Sequence, residues 1–304
     1  MNQYIDRCKS GDFEHKYLLP FLHLHGEPLE EIDVQLDAML RSGIRQVCVE
    51  SRPHPEFCKA GWWRDVGHIL ERAEQTGMKV WILDDFHFPS GHAAFYIKNH
   101  PELRRKLLKC EYRDILVQND SYAVVPYTDK ENTLIGAYAY RRGEEYGNLY
   151  GAPVALKADA DGKFVHLDLP NGLWRVCYLM QTYFAHNEIS PYYIDIMNPD
   201  SCAAMLKAVY EPHYKHFGKY FGTVLKGFFS DEPGFNNTYN LYDGIPGKPA
   251  DAPLPWNSEL PGRLSKKLGI SEREVMARLP MLWLSGEHSS ETAVAYMQCI
   301  TDTY

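Results

Sequence analysis

The sequence predicts an α/β fold of the TIM (β/α)8-barrel type, with about five β/α units and a small antiparallel β insertion. Apolar runs of strand length alternate with segments of helical spacing, a pattern typical of parallel strands buried on both faces. The first two predicted helices end at glycine, a common helix stop signal. Two strands end in paired acids and a turn, which is how a barrel presents its chemistry at the carboxyl ends of its strands.

Residues 1–109 are predicted to form the first part of the barrel. We expect strands at 17–25, 44–50 and 78–83, and helices at 29–42, 62–76 and 101–108. Helical spacing of apolar residues supports the first helix, and Gly43 and Gly77 follow the first two helices as stop signals. The order is therefore βαβαβα, as in a doubly covered parallel sheet.

Residues 110–173 break this order, because they contain short alternating runs separated by turn signals and no helical period. Strands are predicted at 121–127, 133–141, 154–157 and 164–169. The barrel is then expected to continue over residues 174–304. Residues 174–184 are either the last strand of the insertion or the return to the barrel. Further strands are predicted at 192–197 and 225–230. A long helix at 199–221 should be kinked or split at Pro212, and a loop is predicted at 236–260.

The last predicted elements are helices at 264–268, 271–279 and 290–304, the second of which begins with a capping box of Ser271 and Glu274. The sequence stops inside a helical pattern after five of the eight units that a barrel needs. We therefore expect a missing C-terminal part of the same chain to cover the open edge of the barrel.

The composition excludes some classes of function. The chain has 304 residues, is 45% hydrophobic and carries a formal net charge of −8, which argues against a nucleic-acid surface. No apolar run reaches the length of a membrane span. The seven cysteines form no C-x-x-C pair, so reduced thiols and a cytoplasmic location are expected. No cofactor is expected.

Two acid-tipped strands carry the predicted chemistry. One ends in Asp84 and Asp85, and the other ends in Asp231 and Glu232. Glycoside hydrolysis needs two carboxyl groups, one as acid and one as base or nucleophile. Glu232 is the first candidate and Asp85 the candidate partner, with Asp84 and Asp231 binding substrate or bracing the turns. The alternative is that these acids only cap helices or form turns.

Other polar residues follow strands or line the predicted loops. Period two places Glu50, Arg52 and His54 on one face, where they would bind substrate hydroxyls, unless Glu50 and Arg52 form an internal salt bridge. The remaining substrate-binding candidates are His92, Asp195, Asn198 and the stacking ring Trp256. Asn198, which precedes Pro199, is equally a helix start.

The pair His23-x-His25 at the end of the first strand gives a rival interpretation. Two histidines at this spacing face the same way and form a metal-ligand pattern in metal-dependent hydrolases. No histidine ends the fourth or fifth predicted strand, so we expect His23 and His25 to bind substrate or to brace Glu50 and Asp85.

Five motifs in order carry a resemblance: LLPFLHLHGE, CVESRPHPEF, WILDDFHFPSGHA, DIMNPDSC and GFFSDEPGF. Together they resemble bacterial glycosyl hydrolases of the α-L-rhamnosidase-like, family 106-related group. The resemblance implies a TIM-barrel catalytic domain acting on a carbohydrate, a β insertion before the fourth strand, and downstream β-sandwich domains. His87 and Phe88 depart from the family pattern, and the second catalytic carboxylate could lie beyond Tyr304. The alternative is a non-catalytic carbohydrate-binding barrel.

Overall fold

The computed structural model describes residues 5–6, 18–118, 123–126, 132–143, 148–160, 163–185, 188–235 and 253–303. Its strands are β1 Phe21–Leu24, β2 Gln46–Ser51, β3 Lys79–Leu83, β4 Lys106–Val117, β5 Ala123–Pro126, β6 Thr133–Arg142, β7 Leu149–Ala155, β8 Lys157–Ala158, β9 Phe164–Leu167, β10 Gly172–Thr182, β11 Leu225–Phe229 and β12 Leu254–Trp256. Its α-helices are α1 Leu29–Arg41, α2 Ala60–Thr76, α3 Pro199–Met205, α4 Glu211–Phe217, α5 Leu260–Leu268, α6 Glu272–Arg278 and α7 Ser289–Thr301.

The chain divides into two compact units. The first unit comprises Met1–Leu103 and Pro199–Gly234, and the second comprises Arg104–Asn198 and Phe235–Tyr304. The sequence interpretation groups residues 235–304 with the barrel, whereas in the structure Phe235 and residues 253–303 belong with the antiparallel strands. In the part of the chain that the structure describes, no helix has the length and apolar character needed to cross a membrane.

A parallel sheet of order β1-β2-β3-β11 forms the centre of the first unit. These four strands confirm the ones predicted at 17–25, 44–50, 78–83 and 225–230. The pairings His23↔Glu50 and Leu83↔Phe229 show that the carboxyl ends of the strands lie in register. Helices α1 and α2 connect the first three strands, and α2 ends at Gly77 in the left-handed conformation, as its sequence predicts.

The sheet is strongly curled. Phe21 and Phe229 stand on its two edge strands, yet their ring centroids are only 5.5 Å apart, in an edge-to-face contact. Neighbouring strands lie about 4.8 Å apart, so in a flat sheet these edges would be separated by roughly 14 Å. The pairings Phe21↔Cys48, Cys48↔Trp81 and Trp81↔Gly227 place these residues on the same, concave face.

The long helix predicted at 199–221 is present but irregular. Between α3 and α4 lies a π-helical segment, Leu206–Tyr210, which ends just before Pro212. Proline has no N–H to donate and its ring crowds the preceding turn, so a wider turn at this point accommodates it. Such π segments occur frequently at functional sites, and Tyr210 at its end contacts an acid discussed below.

The second unit is built on an antiparallel sheet of order β12-β4-β10-β6-β7. Helices α5, α6 and α7 pack against one face, where the core includes Leu179, Leu264 and Tyr296. A smaller sheet of order β5-β9-β8 covers part of the other face, whose core includes Val165 and Trp174. The stretch predicted to be β-rich, residues 110–173, therefore contains antiparallel strands, and β10 continues the same sheet; that this stretch is an insertion into a barrel stays a prediction. The capping box of Ser271 and Glu274 at the start of α6 is confirmed.

Two element predictions are wrong. The helix predicted at 101–108 is a short 3-10 turn, Pro101–Leu103, followed by β4. Leu107 and Leu108 are buried in that strand, so sheet burial outweighs their helical propensity. The strand predicted at 192–197 is replaced by irregular chain with one bridge, from Ile194 to Arg104. Residues 236–252 of the predicted loop lie outside the described residues. A complete eight-stranded barrel stays a prediction.

Candidate functional site

The carboxyl edge of the parallel sheet gathers most of the predicted polar residues. His23, Glu50, Asp84 and Asp231 lie at or just after the ends of the four strands. The Asp84 N–H donates to the Phe229 carbonyl at 3.1 Å, which continues the pairing of β3 and β11 beyond the last ladder residue. The two acid-tipped strands predicted from the sequence are therefore neighbours.

Asp85 is completely buried and its carboxylate is surrounded by backbone donors. It accepts the N–H groups of its own loop, at 2.5–3.1 Å, from Phe86, Gly91, His92, Ala93 and Ala94. Burial raises the pKa of Asp85 to about 6, and these donors act in the opposite direction. At pH 7 the group is therefore mainly ionised, as successive backbone N–H groups favour.

The loop around Asp85 is itself strained. Ala93, Ala94 and Phe95 have φ angles of 50°, 51° and 60°, in the left-handed region that costs a non-glycine residue about 1–2 kcal/mol. This conformation turns consecutive N–H groups towards one carboxylate. Both Asp85 oxygens are engaged in holding the loop, so this geometry does not support the catalytic role predicted for Asp85.

Ser90 links the two acid-tipped strands. Its hydroxyl donates to Asp84 Oδ1 and accepts the Asp231 N–H at 2.9 Å, while the Ser90 N–H donates to the Asp231 carbonyl at 2.9 Å. The Tyr210 hydroxyl, at the end of the π-helical segment, donates to Asp84 Oδ2 at 2.5 Å. We call Asp84, Ser90, Tyr210 and Asp231 the serine clamp. Asp84 is buried within the serine clamp, so its carboxylate braces the turn.

Asp231 and Glu232 are the acids that remain accessible. Asp231 is half-buried, and burial raises its pKa, assisted by the negative charges of Glu232 and Glu50 and opposed by Arg52. Glu232 is exposed and has a φ angle of 46°, a left-handed conformation that is strained for glutamate. Backbone strain of this kind concentrates at functional sites.

Glu50 lies at the centre of a small ion-pair network. Its Oε1 accepts from Arg52 Nη1, and its Oε2 lies 3.1 Å from His23 Nε2. The salt bridge named as the alternative for Glu50 and Arg52 is therefore present, and His23 braces Glu50 as expected. Glu50 is buried, whereas 39% of the Arg52 side chain and 47% of the His23 side chain are exposed. These two side chains present donors at the edge of the sheet.

Three other predicted histidines have local, structural contacts. His54 is buried and its Nε2 lies 2.9 Å from Asp65 Oδ2, while its Nδ1 accepts the Glu56 N–H. It therefore does not share a face with Glu50 and Arg52. His25 pairs with the nearby Glu27 at 2.6 Å rather than with Asp85. His92 is fully buried against the ring of Phe86, so it does not line an open cleft.

The histidine pair proposed as a metal ligand set diverges. The rings of His23 and His25 contact different carboxylates, Glu50 and Glu27. Within the described residues, no group of three or more histidine, cysteine, aspartate or glutamate side chains is arranged to hold a metal ion.

Three predicted residues belong to the second unit. Asp195 is buried and accepts the Met197 N–H at 3.0 Å, and burial raises its pKa. Asn198 donates its N–H to the Asp195 carbonyl immediately before α3 begins. Trp256 is buried in the helix-side core and is not an exposed stacking ring. β12 pairs with β4 over its whole length, and this pairing places Trp256 in the apolar core rather than at the surface.

Sequence reasoning missed the roles of Ser90, Tyr210 and His213. Ser90 lies in the turn of the motif WILDDFHFPSGHA, where the sequence gives it no role of its own, and no local pattern marks Tyr210, which lies 126 positions from Asp84. His213 is fully buried, accepts from Trp62 Nε1 at 2.8 Å and donates from Nδ1 to the Val209 carbonyl at 2.7 Å. The sequence does contain a signal for Ser90, because this serine lies in the turn after one acid-tipped strand and the chain has a second acid-tipped strand for it to contact.

No protein-family model matches the sequence, and no curated protein sequence matches it either. Among solved structures, the chain is similar to a rhamnosidase from Novosphingobium sp. PP1Y, with a TM-score of 0.48 and 9% sequence identity. The match covers 86% of this chain and 41% of that enzyme, so the chain spans about two fifths of its length. A likeness this distant carries no argument about activity.

Proposed function

We propose that the first unit carries the active site of a glycoside hydrolase that uses carboxyl groups at the carboxyl edge of its parallel sheet. The observation that carries the proposal is the pair Asp231 and Glu232 after β11, of which Asp231 is half-buried and Glu232 is exposed and strained, next to the Glu50–Arg52–His23 network. Glycoside hydrolysis requires accessible carboxyl groups with separated acid and base roles.

The environments of the two acids suggest different roles. Burial and neighbouring negative charges raise the pKa of Asp231, and a carboxyl group with a raised pKa is suited to protonate a leaving group. Glu232, exposed beyond it, is the candidate base or nucleophile. In this assignment Asp231 takes the catalytic role that the sequence interpretation gave to Asp85.

The neighbouring side chains of Arg52 and His23 suit a carbohydrate. Arg52 and His23 both contact the buried Glu50, while their own side chains are partly exposed at the edge of the sheet. Charged donors form strong hydrogen bonds with hydroxyl oxygens. An α-L-rhamnoside is the first substrate to test, because the motifs in the sequence resemble rhamnosidase-like enzymes.

The proposed fold is a TIM-type barrel of which this parallel sheet forms about half. The contact of Phe21 with Phe229 supports it, because a sheet must curl strongly to close into a barrel. The acids then lie at the end of the barrel where active sites are found. A cytoplasmic location remains part of the proposal.

A second candidate function is carbohydrate binding without catalysis. Two observations favour it. The Asp85 carboxylate accepts five backbone N–H groups, and the Glu50 carboxylate is paired with Arg52, so neither is free to act as a catalytic acid or base. The two functions differ in whether a bound glycoside is turned over.

The test is hydrolysis of a panel of 4-nitrophenyl glycosides, beginning with the α-L-rhamnoside, by the wild-type chain, Glu232→Gln and Asp231→Asn. We expect each substitution to lower kcat by at least about 100-fold, because acid–base groups typically contribute that much. Thermal unfolding should remain close to wild type for Glu232→Gln, since its side chain is exposed.

The matched control is Glu71→Gln, which removes the same charge from an exposed position near the C-terminal end of α2, towards the amino end of the strands. This variant should retain wild-type activity. Glycoside binding without turnover by the wild-type chain would favour the non-catalytic function, and full activity of both active-site variants would refute the assignment of the residues.

A further inference from the structure

The second unit contains a cavity that the proposed active site does not use. Its volume is about 420 Å³, within the range of small-molecule binding sites. Strands β6 and β7 form one wall, and α6 with the turn before α7 forms the other. The lining includes Tyr138, Tyr140, Pro153, Arg273, Arg278 and His288.

The walls of the cavity are mainly apolar and aromatic. Tyr138 and Tyr140 stand on β6 and are largely buried, and Leu149, Pro153 and Met281 complete the apolar lining. The Tyr140 hydroxyl donates to the Ala277 carbonyl, so it is already engaged. An occupant therefore meets ring faces and aliphatic carbons, which suit a flat apolar ring.

Most charged groups at the rim are paired with one another. Arg278 Nη1 lies 3.3 Å from Glu291 Oε2, and His288 Nδ1 lies 3.1 Å from the same carboxylate. Glu274 caps α6 through Ser271. Arg273 differs from these groups, because it is exposed and forms no ion pair with any residue in the described part of the chain.

Arg273 lies near the aromatic wall. Burial raises the pKa of Tyr138, and the positive charge of Arg273 opposes that rise. Tyr138 and Arg273 both line the cavity, so a positive charge stands beside the aromatic wall. A planar guanidinium with free donors matches a carboxylate through two parallel hydrogen bonds.

We propose that this cavity binds a small aromatic carboxylate, with its ring between the tyrosine wall and α6 and its carboxylate on Arg273. A free sugar fits this lining less well, because a sugar needs many hydrogen-bond partners and the Tyr140 hydroxyl is already used. The cavity lies within the second unit, and the acids of the proposed active site lie in the first. The inference therefore stands independently of the proposed hydrolysis.

The test is a titration of the full chain with 4-hydroxycinnamate, followed by calorimetry or by protein-observed NMR. We expect saturable binding that Arg273→Gln weakens by about tenfold or more, since a hydrogen-bonded charged pair is worth about 1.5–3 kcal/mol. The neutral amide of the same acid should bind the wild-type chain more weakly by a similar factor.

Two control variants keep the test specific. Lys266→Gln removes one positive charge from an exposed site on α5 outside the cavity lining and should bind as the wild type does. Ala152→Phe places a ring at an exposed, strand-compatible lining position and should block binding while Arg273 is retained.

The proposal is overturned if the wild-type chain shows no saturable binding of the acid. It is equally overturned if Arg273→Gln binds the acid as tightly as the wild type, or if glucuronate binds and 4-hydroxycinnamate does not. Circular dichroism of each variant separates lost binding from lost folding. Activity on glycosides is not a readout of this test, so its outcome is separate from that of the proposed hydrolysis.

Discussion

Replacement of Ser90 by alanine is the sharpest test of how the site is built. Ser90 is buried, and its hydroxyl is the only atom that the substitution removes from the serine clamp. The backbone bond from the Ser90 N–H to the Asp231 carbonyl stays possible. Any effect therefore reports the hydroxyl, including its hydrogen bonds with Asp84 and Asp231.

The magnitude follows from the groups that lose a partner. The hydrogen bond to the Asp84 carboxylate is charge-assisted and contributes about 1.5–3 kcal/mol. The Asp231 N–H loses its acceptor, which costs about 1 kcal/mol more at a half-buried site. We expect Ser90→Ala to lower the free energy of unfolding by about 3 kcal/mol, and the Tm of the first unit by about 10 °C.

The assay combines thermal unfolding with hydrolysis of the glycoside that the wild-type chain cleaves best. Because Ser90 fixes the backbone of Asp231, we expect kcat of Ser90→Ala to fall about tenfold at a temperature where the variant is folded. Ser230→Ala removes an exposed hydroxyl one residue before Asp231 and should change stability by less than about 0.5 kcal/mol. A Ser90→Ala variant as stable as Ser230→Ala would refute the serine clamp.

Two further substitutions test the structural assignments. Asp85→Asn should lower the free energy of unfolding by at least about 3 kcal/mol, because the new amide N–H₂ faces backbone donors; urea unfolding measures this, and wild-type stability would contradict the loop-holding role. Burial lowers the pKa of His213 to about 4, below its unfolded value near 6.5, so the unfolded state binds more protons between these pH values. Stability contributed by neutral His213 is therefore complete above about pH 6.5 and is lost as pH falls towards 4, by up to about 3 kcal/mol. His213→Phe should flatten the dependence of Tm on pH across this window, and an unchanged slope would exclude His213 as its source.

The strands of the first unit were predictable because their burial is visible in the sequence. The run Gln46–Ser51 is buried at five of its six positions, and its centre, Val47–Val49, is apolar without the alternation of a strand that has one wet face. Helix ends were predictable where glycine supplies the left-handed conformation, as at Gly77. The capping box of Ser271 and Glu274 is equally local. In each case the determining interaction lies within a few residues.

Elements that depend on distant partners were not predictable. Leu107 and Leu108 belong to a helix by propensity, but they pair with Thr182 and Gln181 on β10. Residues 192–197 are apolar except for Asp195, yet within the described residues they form one bridge, because Tyr193 and Met197 are buried in irregular chain. An apolar pattern reports burial, and burial does not require a ladder partner.

The same limit explains why two similar acid-tipped strands have different chemistry. Each of the two stretches contains an apolar strand, two acids and a turn with proline and glycine. This pattern does not determine where the backbone N–H groups after the acids point. After β3, three left-handed residues turn those groups onto Asp85, which fixes the loop and leaves neither oxygen for a substrate.

After β11 the residue with the strained, left-handed backbone is Glu232 itself, and its side chain is exposed. A carboxylate enclosed by the backbone of its own loop stabilises that loop. A carboxylate held in a strained conformation at an exposed edge gains nothing for stability, and this is the physical reason to seek the chemistry at Glu232 rather than at Asp85.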